Sequence, residues 1–292
     1  MNTLLHPRFT IRSILLVACA AFCMAQAAQA QSRVQDSIRH PFRVNGWLSG
    51  GIILAGGVAV GAGISSITNK PIITPAELSA LDRSDFSAMD RRALELDASR
   101  MNSYRTMSNY VLAGIIAMPA LTLFDDDIRR DWTDMVLMFL ETELLAYGIY
   151  LYSPLGPAYI DRFRPRVYYE ESVTFEERTR STNRNSFYSG HVAAAAAATF
   201  FSASMINAYN PELGWTRYLV YSAAAVPPLV LSYFRLRGLS HFPSDLLVGL
   251  GVGALCGILV PELHRLFADN TALGLYSSPE GTGIRIAWKP EF

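Results

Sequence analysis

The stretch Phe187-Tyr188-Ser189-Gly190-His191 closes a polar, arginine-rich segment and opens the apolar run Val192 to Phe201. A loop that enters a helix through Ser-Gly leaves backbone N–H groups and the positive end of the helix dipole facing one point, which suits an anion. His191 stands at the edge of that point and can pass a proton to whatever carries the anion. Alone, such a sequence is more often a helix cap than a site. Two further clusters shift that balance: Arg162-Phe163-Arg164-Pro165 upstream, and Arg235-Leu236-Arg237-Gly238-Leu239-Ser240-His241-Phe242-Pro243-Ser244-Asp245 downstream. Arg164 and Arg235 each offer a planar fork matched to phosphate oxygens. Pro243 suits the first position of a helix, which puts Asp245 in its first turn with the carboxylate reaching back toward His241. Without the other clusters Asp245 would read as a plain helix cap.

Taken in order, the three clusters resemble the signature motifs of the type 2 phosphatidic acid phosphatase (PAP2) superfamily, Lys-x6-Arg-Pro, Pro-Ser-Gly-His and Ser-Arg-x5-His-x3-Asp. The third matches in spacing from Arg235 through His241 to Asp245, with Phe234 where Ser is usual. The second matches with Tyr188 in place of Pro. The first matches at Arg164-Pro165, but Pro157 occupies the Lys position, and Arg162 is the nearest cation able to supply the missing charge. The resemblance spans roughly residues 131 to 265.

The resemblance implies an all-α transmembrane bundle of the PAP2/haloperoxidase-like type. It implies a membrane phosphatase acting on a lipid phosphate or polyprenyl diphosphate, with no metal and no cofactor. His241 becomes the nucleophile that forms a phosphohistidine, Asp245 fixes its tautomer, and His191 is the acid to the leaving group. Arg164, Ser189, Gly190 and Arg235 form the phosphate cradle, with Arg162 as an added cation. The alternatives are a catalytically degenerate relative that only binds lipid phosphates, and a periplasmic non-specific acid phosphatase.

The 292 residues are 51% hydrophobic and 17% charged, and membrane embedding explains this more simply than a soluble core. The expected partners are therefore a lipid phosphate and membrane lipids. Formal net charge is zero, so no electrostatic nucleic-acid surface is expected. Cys19, Cys23 and Cys256 imply neither a disulfide framework nor a metal site. Arg8 and Arg12, the apolar run Ile14 to Met24, and Ala28-Gln29-Ala30 before Gln31 read as a secretory signal peptide. Leu16-Val17-Ala18-Cys19 also has the form of a lipoprotein box, and cleavage after Ala30 is the preferred reading.

The expected organisation is a signal peptide over 1–30, an apolar helix and charged amphipathic connector over 31–105, the catalytic bundle over 106–267 and a tail over 268–292. Gly46 to Ile67 is uncharged and long enough to span, and its seven glycines permit close helix packing. Tyr110 to Phe124 and Trp132 to Tyr152 follow, the latter with Asp134, Glu141 and Glu143 facing protein or water. Tyr168 and Tyr169 either frame the substrate entrance or pack at the membrane boundary. Tyr218 to Phe234, bent at Pro227-Pro228, and Leu246 to Val260 complete the apolar set. Leu273 to Tyr276 and Gly283 to Trp288 suggest a short hairpin. The expected location is a bacterial inner membrane with the site facing the periplasm. If Gln31 is exported, that requires one of Gly46 to Ile67 or Tyr110 to Phe124 to pack without crossing.

Overall fold

Asn45 opens the first long helix, α1 (Gly46–Thr68), by accepting from the N–H groups of Trp47 and Leu48. Its glycines would weaken a helix in water, but in hydrocarbon no solvent competes for the backbone bonds. The remaining long helices are α2 (Met101–Ala117), α3 (Trp132–Tyr152), α4 (Gly190–Tyr209), α5 (Arg217–Ala224), α6 (Val226–Arg237) and α7 (Pro243–Asn270). This computed structural model describes residues 40–154, 156–278 and 281–288. The expected signal peptide lies outside the described residues. Phe42–Phe292 forms one compact unit, an all-α bundle followed by an antiparallel pair, β1 (Thr271–Ser278) and β2 (Gly281–Trp288), where the hairpin was expected.

Among the described residues, six helical stretches are long and apolar enough to cross a membrane: Gly46–Thr68, Met101–Phe124, Trp132–Tyr152, Gly190–Tyr209, Pro211–Arg237 and Pro243–Arg265. The second includes a 3₁₀ turn, Met118–Phe124, which begins next to Pro119, where a missing N–H interrupts the α-helical ladder. The fifth is broken between α5 and α6, just before Pro227-Pro228. Leu54, Val58, Leu219, Val230, Leu247 and Leu255 are exposed on the bundle. Such an apolar exterior is what lipid requires of a membrane protein.

The core is α4 packed lengthwise on α7. Ala193 to Ala198 are all buried, and facing them stand Gly249, Gly253 and Gly257, four residues apart on one face. A Cβ on Gly253 would lie 2.0 Å from the Ala193 carbonyl oxygen, and one on Gly249 2.6 Å from that of Ser189. The two backbones therefore meet directly, as small residues allow in membranes. Both helices start at the same end of the bundle, and the Ser189 N–H donates to the Asp245 carbonyl at 3.0 Å.

That end also receives the connector between α1 and α2. Ile73 N–H bonds the Thr179 carbonyl at 2.8 Å, and Lys70 pairs with Asp161 at 2.7 Å. Arg184 holds the carbonyls of Pro71 and Ile72 and the carboxylates of Glu77 and Asp161. At the opposite end Tyr209, the last residue of α4, donates to Asp131 ahead of α3. Both α1 and the Met101–Phe124 stretch thus run between the two ends of the bundle. Both are among the stretches long and apolar enough to cross a membrane.

Candidate active site

The first motif is laid beside the approach to the second by a short parallel contact, in which Arg162 N–H bonds Arg184 O at 2.8 Å, Ser186 N–H bonds Arg162 O at 2.9 Å and Arg164 N–H bonds Asn183 O at 2.9 Å. Pro165 then starts a 3₁₀ turn. Ser189 caps α4 by accepting from the Val192 N–H at 3.4 Å, and Gly190 lies under the Tyr150 ring, where a Cβ would meet ring carbon at 3.2 Å. The third motif runs from the last turn of α6, with Arg235, to the first turn of α7, with Asp245. Three segments remote in sequence therefore meet at one end of the bundle.

Arg235 is buried; its Nη1 donates to the Ser108 hydroxyl at 3.2 Å, and its Nη2 lies 3.2 Å from His241 Nε2. The Nε groups of Arg164 and Arg235 have no hydrogen-bond partner among the described residues. Arg164 and Arg235 both exert their charge on His191 and His241. Buried guanidinium N–H groups are costly when unpaired, and an anion is their natural partner.

The tautomer of His241 follows from its neighbours. Its Nδ1 lies 2.7 Å from the Ser186 carbonyl oxygen, which only accepts, so Nδ1 carries the hydrogen. Arg235 only donates, so Nε2 presents a lone pair. Burial, then the charges of Arg235 and Arg164, push the His241 pKa well below its ordinary value.

Asp245 does not make the expected bond to His241; the shortest approach, Oδ2 to Nδ1, is 3.8 Å. It instead accepts from the Ser186 hydroxyl at 2.6 Å, from the Phe242 N–H at 2.8 Å and from Arg162. Asp245 thus holds both ends of the His241 environment, the Ser186 loop and the turn ahead of α7, without touching the ring in a hydrogen bond. Arg162, expected as an added cation of the cradle, is committed to carboxylates instead. Its terminal nitrogens are taken by Asp245, by Ser244 at 2.9 Å and by Asp90 at 2.8 Å, and its guanidinium lies 4.6 Å from the centre of the Phe242 ring.

Several residues at this end carried no sequence signal of their own. Asp90 comes from the connector and accepts from the Ser244 N–H at 2.9 Å and hydroxyl at 2.7 Å. Phe86, Ala93 and Leu94 pack with Phe242 and Tyr168. Tyr168 and Tyr169 face this connector, the latter donating its hydroxyl to the Ala93 carbonyl at 2.9 Å. Of the carboxylates in α3, Glu141 pairs with His264 at 2.7 Å, and Glu143 Oε1 is buried without a partner among the described residues.

Residues 135–268 match the family model described as the PAP2 superfamily. This segment is a PAP2 superfamily domain. It contains Arg164, His191, Arg235, His241 and Asp245, the PAP2 motif residues brought together above. The chain is also similar to a solved structure, that of a transmembrane PAP2 type phosphatidylglycerolphosphate phosphatase from Bacillus subtilis, at 22% identity and a TM-score of 0.39, over 74% of this chain and 94% of that one. No curated protein matches the sequence.

Proposed function

We propose that this membrane protein is a lipid phosphatase working through a phosphohistidine. The observation that carries the reading is the pair of buried guanidiniums, Arg164 and Arg235, with unpaired N–H groups beside a histidine that offers its Nε2 lone pair. A phosphoryl group in transfer spreads charge over three oxygens, and fixed forks of this kind stabilise it. His241 Nε2 attacks phosphorus, the bond to the lipid oxygen breaks, and His191 supplies the proton to that oxygen. A water then attacks the phosphohistidine, returning its proton to His191 and freeing His241. Ser189 and the Gly190 N–H add donors at the start of α4.

Purified protein in detergent is expected to release phosphate in EDTA from at least one of phosphatidate, phosphatidylglycerol phosphate, undecaprenyl diphosphate and lipid A. His241→Ala abolishes the release, and vanadate, which mimics the transition state, inhibits it. Pro157 at the usual Lys position favours a second reading, a lipid-phosphate binder without turnover. Saturable binding of these lipids with no release from any of them would establish that reading and end the first.

For location we propose a bacterial inner membrane with the site facing the periplasm. If all six candidate stretches cross, Asn45 then starts α1 from the cytoplasmic side, which a cleaved signal ahead of Gln31 does not allow, so the two sequence expectations hold together only where one of Gly46 to Ile67 or Tyr110 to Phe124 packs without crossing. Impermeant thiol labelling separates them: Glu171→Cys, on the site face, reacts in intact cells if the site is periplasmic, and Asp127→Cys, on the opposite face, reacts if the signal is cleaved.

A further inference from the structure

The PAP2 motif supplies a lysine that this chain lacks, and Arg162, the nearest substitute in sequence, is committed to Asp90 and Asp245. Two other guanidiniums stand next to the cradle. Arg166 follows Pro165, is 2% exposed, and has an Nε without a partner among the described residues. Arg105 comes from the first turns of α2, and Gly238, three residues past Arg235, lets it lie close: a Cβ there would sit 2.9 Å from Arg105 Cγ. One carboxylate serves both, Glu177, whose Oε1 is 2.5 Å from Arg105 Nη1 and 3.9 Å from Arg166 Nη1. Arg105 also lies one turn before Ser108, which holds Arg235.

These contacts define two tiers. The inner tier is Arg164 and Arg235 around the two histidines. The outer tier is Arg105 and Arg166 around Glu177, nearer the surface, where the Arg105 and Glu177 side chains are 30% and 18% exposed. Burial, then the like charges of Arg164, Arg105 and Arg235, press the Arg166 pKa well below its ordinary value, with Glu177 opposing. Four cations face Glu177 and, on the Arg164 side, Asp245, which Arg162 already holds; with buried N–H groups unpaired in both tiers, they call for more negative charge than a single phosphate monoester provides.

We propose that Arg105 and Arg166 form an outer anion site that takes the second, non-reacting phosphate of a lipid diphosphate. The proposal rests on the phosphatase reading and names its substrate class. The terminal phosphoryl sits in the inner tier. His241 Nε2 forms the N–P bond, the bridging P–O bond breaks, and the electron pair stays with the lipid monophosphate, protonated at the former bridging oxygen by His191. The outer tier holds the phosphate that leaves with the lipid. Water then removes the phosphoryl group from His241.

The test compares farnesyl diphosphate with farnesyl phosphate in detergent and EDTA, using Arg105→Gln because Arg105 is the more exposed of the pair. The ratio of diphosphate to monophosphate kcat/KM is expected to fall at least tenfold in Arg105→Gln and to rise in Glu177→Gln, which removes the competing carboxylate. A ratio unchanged in both variants overturns the proposal. A binding arm needs no turnover: pyrophosphate should raise the melting midpoint of the wild-type protein more than equimolar inorganic phosphate does, and Arg105→Gln should erase the difference. If neither lipid is hydrolysed but this difference appears and depends on Arg105, the outer site stands and the phosphatase reading falls. Equal midpoints with the two anions in the wild type sink the outer site.

Discussion

Arg162 donates to the Asp245 carboxylate and, through its other terminal nitrogen, to Asp90 at 2.8 Å. An arginine two residues before the cradle arginine is therefore spent on holding the α7 turn. Removing it leaves two neighbouring carboxylates, and the Ser244 hydroxyl beside them, without their shared cation. Arg162→Ala is expected to lower kcat roughly tenfold with KM within about twofold. Arg164→Ala, which removes a contact to the transferring group, is expected to cost about 2 to 4 kcal/mol in kcat/KM, on the order of a hundredfold or more. Steady-state kinetics of the two variants side by side separate the roles, and a rise in KM for Arg162→Ala matching that of Arg164→Ala would return Arg162 to the cradle.

The protonation of His241 gives a pH signature. Its pKa in the folded protein is lowered, first by burial and then by Arg235 and Arg164. An unfolded histidine takes a proton near pH 6.5, and the folded one does not. Stability should thus fall as pH drops below about 6.5, where only the unfolded state gains the proton, and be insensitive to this group above it. If His241 is the attacking group, its Nε2 stays unprotonated through the same range, so the acid limb of kcat/KM is expected below pH 6.5. Melting midpoints and rate profiles between about pH 4.5 and 8 test both statements.

Asp90 accepts the Ser244 N–H in the first turn of α7 from 154 residues away in sequence. It acts as a helix cap supplied by the connector. Asp90→Ala is expected to destabilise by about 1 to 2 kcal/mol, and Asp90→Asn, which keeps an acceptor for the Ser244 N–H, by less. Denaturant titration in mild detergent would show it. Equal stability of Asp90→Ala and wild type would mean that the α7 turn holds without this cap.

Gly253 leaves no room for a side chain against Ala193. Gly253→Ala forces the two helices apart and is expected to cost about 1 to 3 kcal/mol, whereas Gly251→Ala, where a Cβ meets nothing within 4 Å, should be neutral in stability. Thermal unfolding of the pair distinguishes backbone contact from a general dislike of alanine in α7.

The long helices, the α4 cap at Ser189, the α7 start at Pro243 and the residues of the three motifs were legible because each depends on neighbours within a turn or two. Spacing placed His241 and Asp245 within reach of each other, yet sequence could not reveal that the Ser186 carbonyl claims Nδ1. That carbonyl carries no side-chain signature, and its segment is set by the pairing of residues 162–164 with 183–186. The role of Arg162, the nearest cation to the missing lysine, was hidden for a related reason: distance along the chain does not say that Asp245 and Asp90 wait for it. Asp90 stood among many acids in an amphipathic run, and only the docking of that run on Phe242 singles it out. Arg166 had no signal in the sequence, because burial of an arginine depends on tertiary contacts.

The direct meeting of α4 and α7 has a consequence for how this protein can vary. Ser189 and Asp245 begin two helices joined by a bond of 3.0 Å between their backbones and by three glycines below it. Because the spacing of the two starts is set by main chain resting on main chain, side-chain drift in the lipid-facing helices has no lever on it. Insertions between α5 and α6 or in the hairpin pass it by as well. The outward side of α1, where Leu54 and Val58 are exposed, can change with the hydrocarbon it meets, so inheritance can reshape what the protein touches in the bilayer while the two helix starts stay in register.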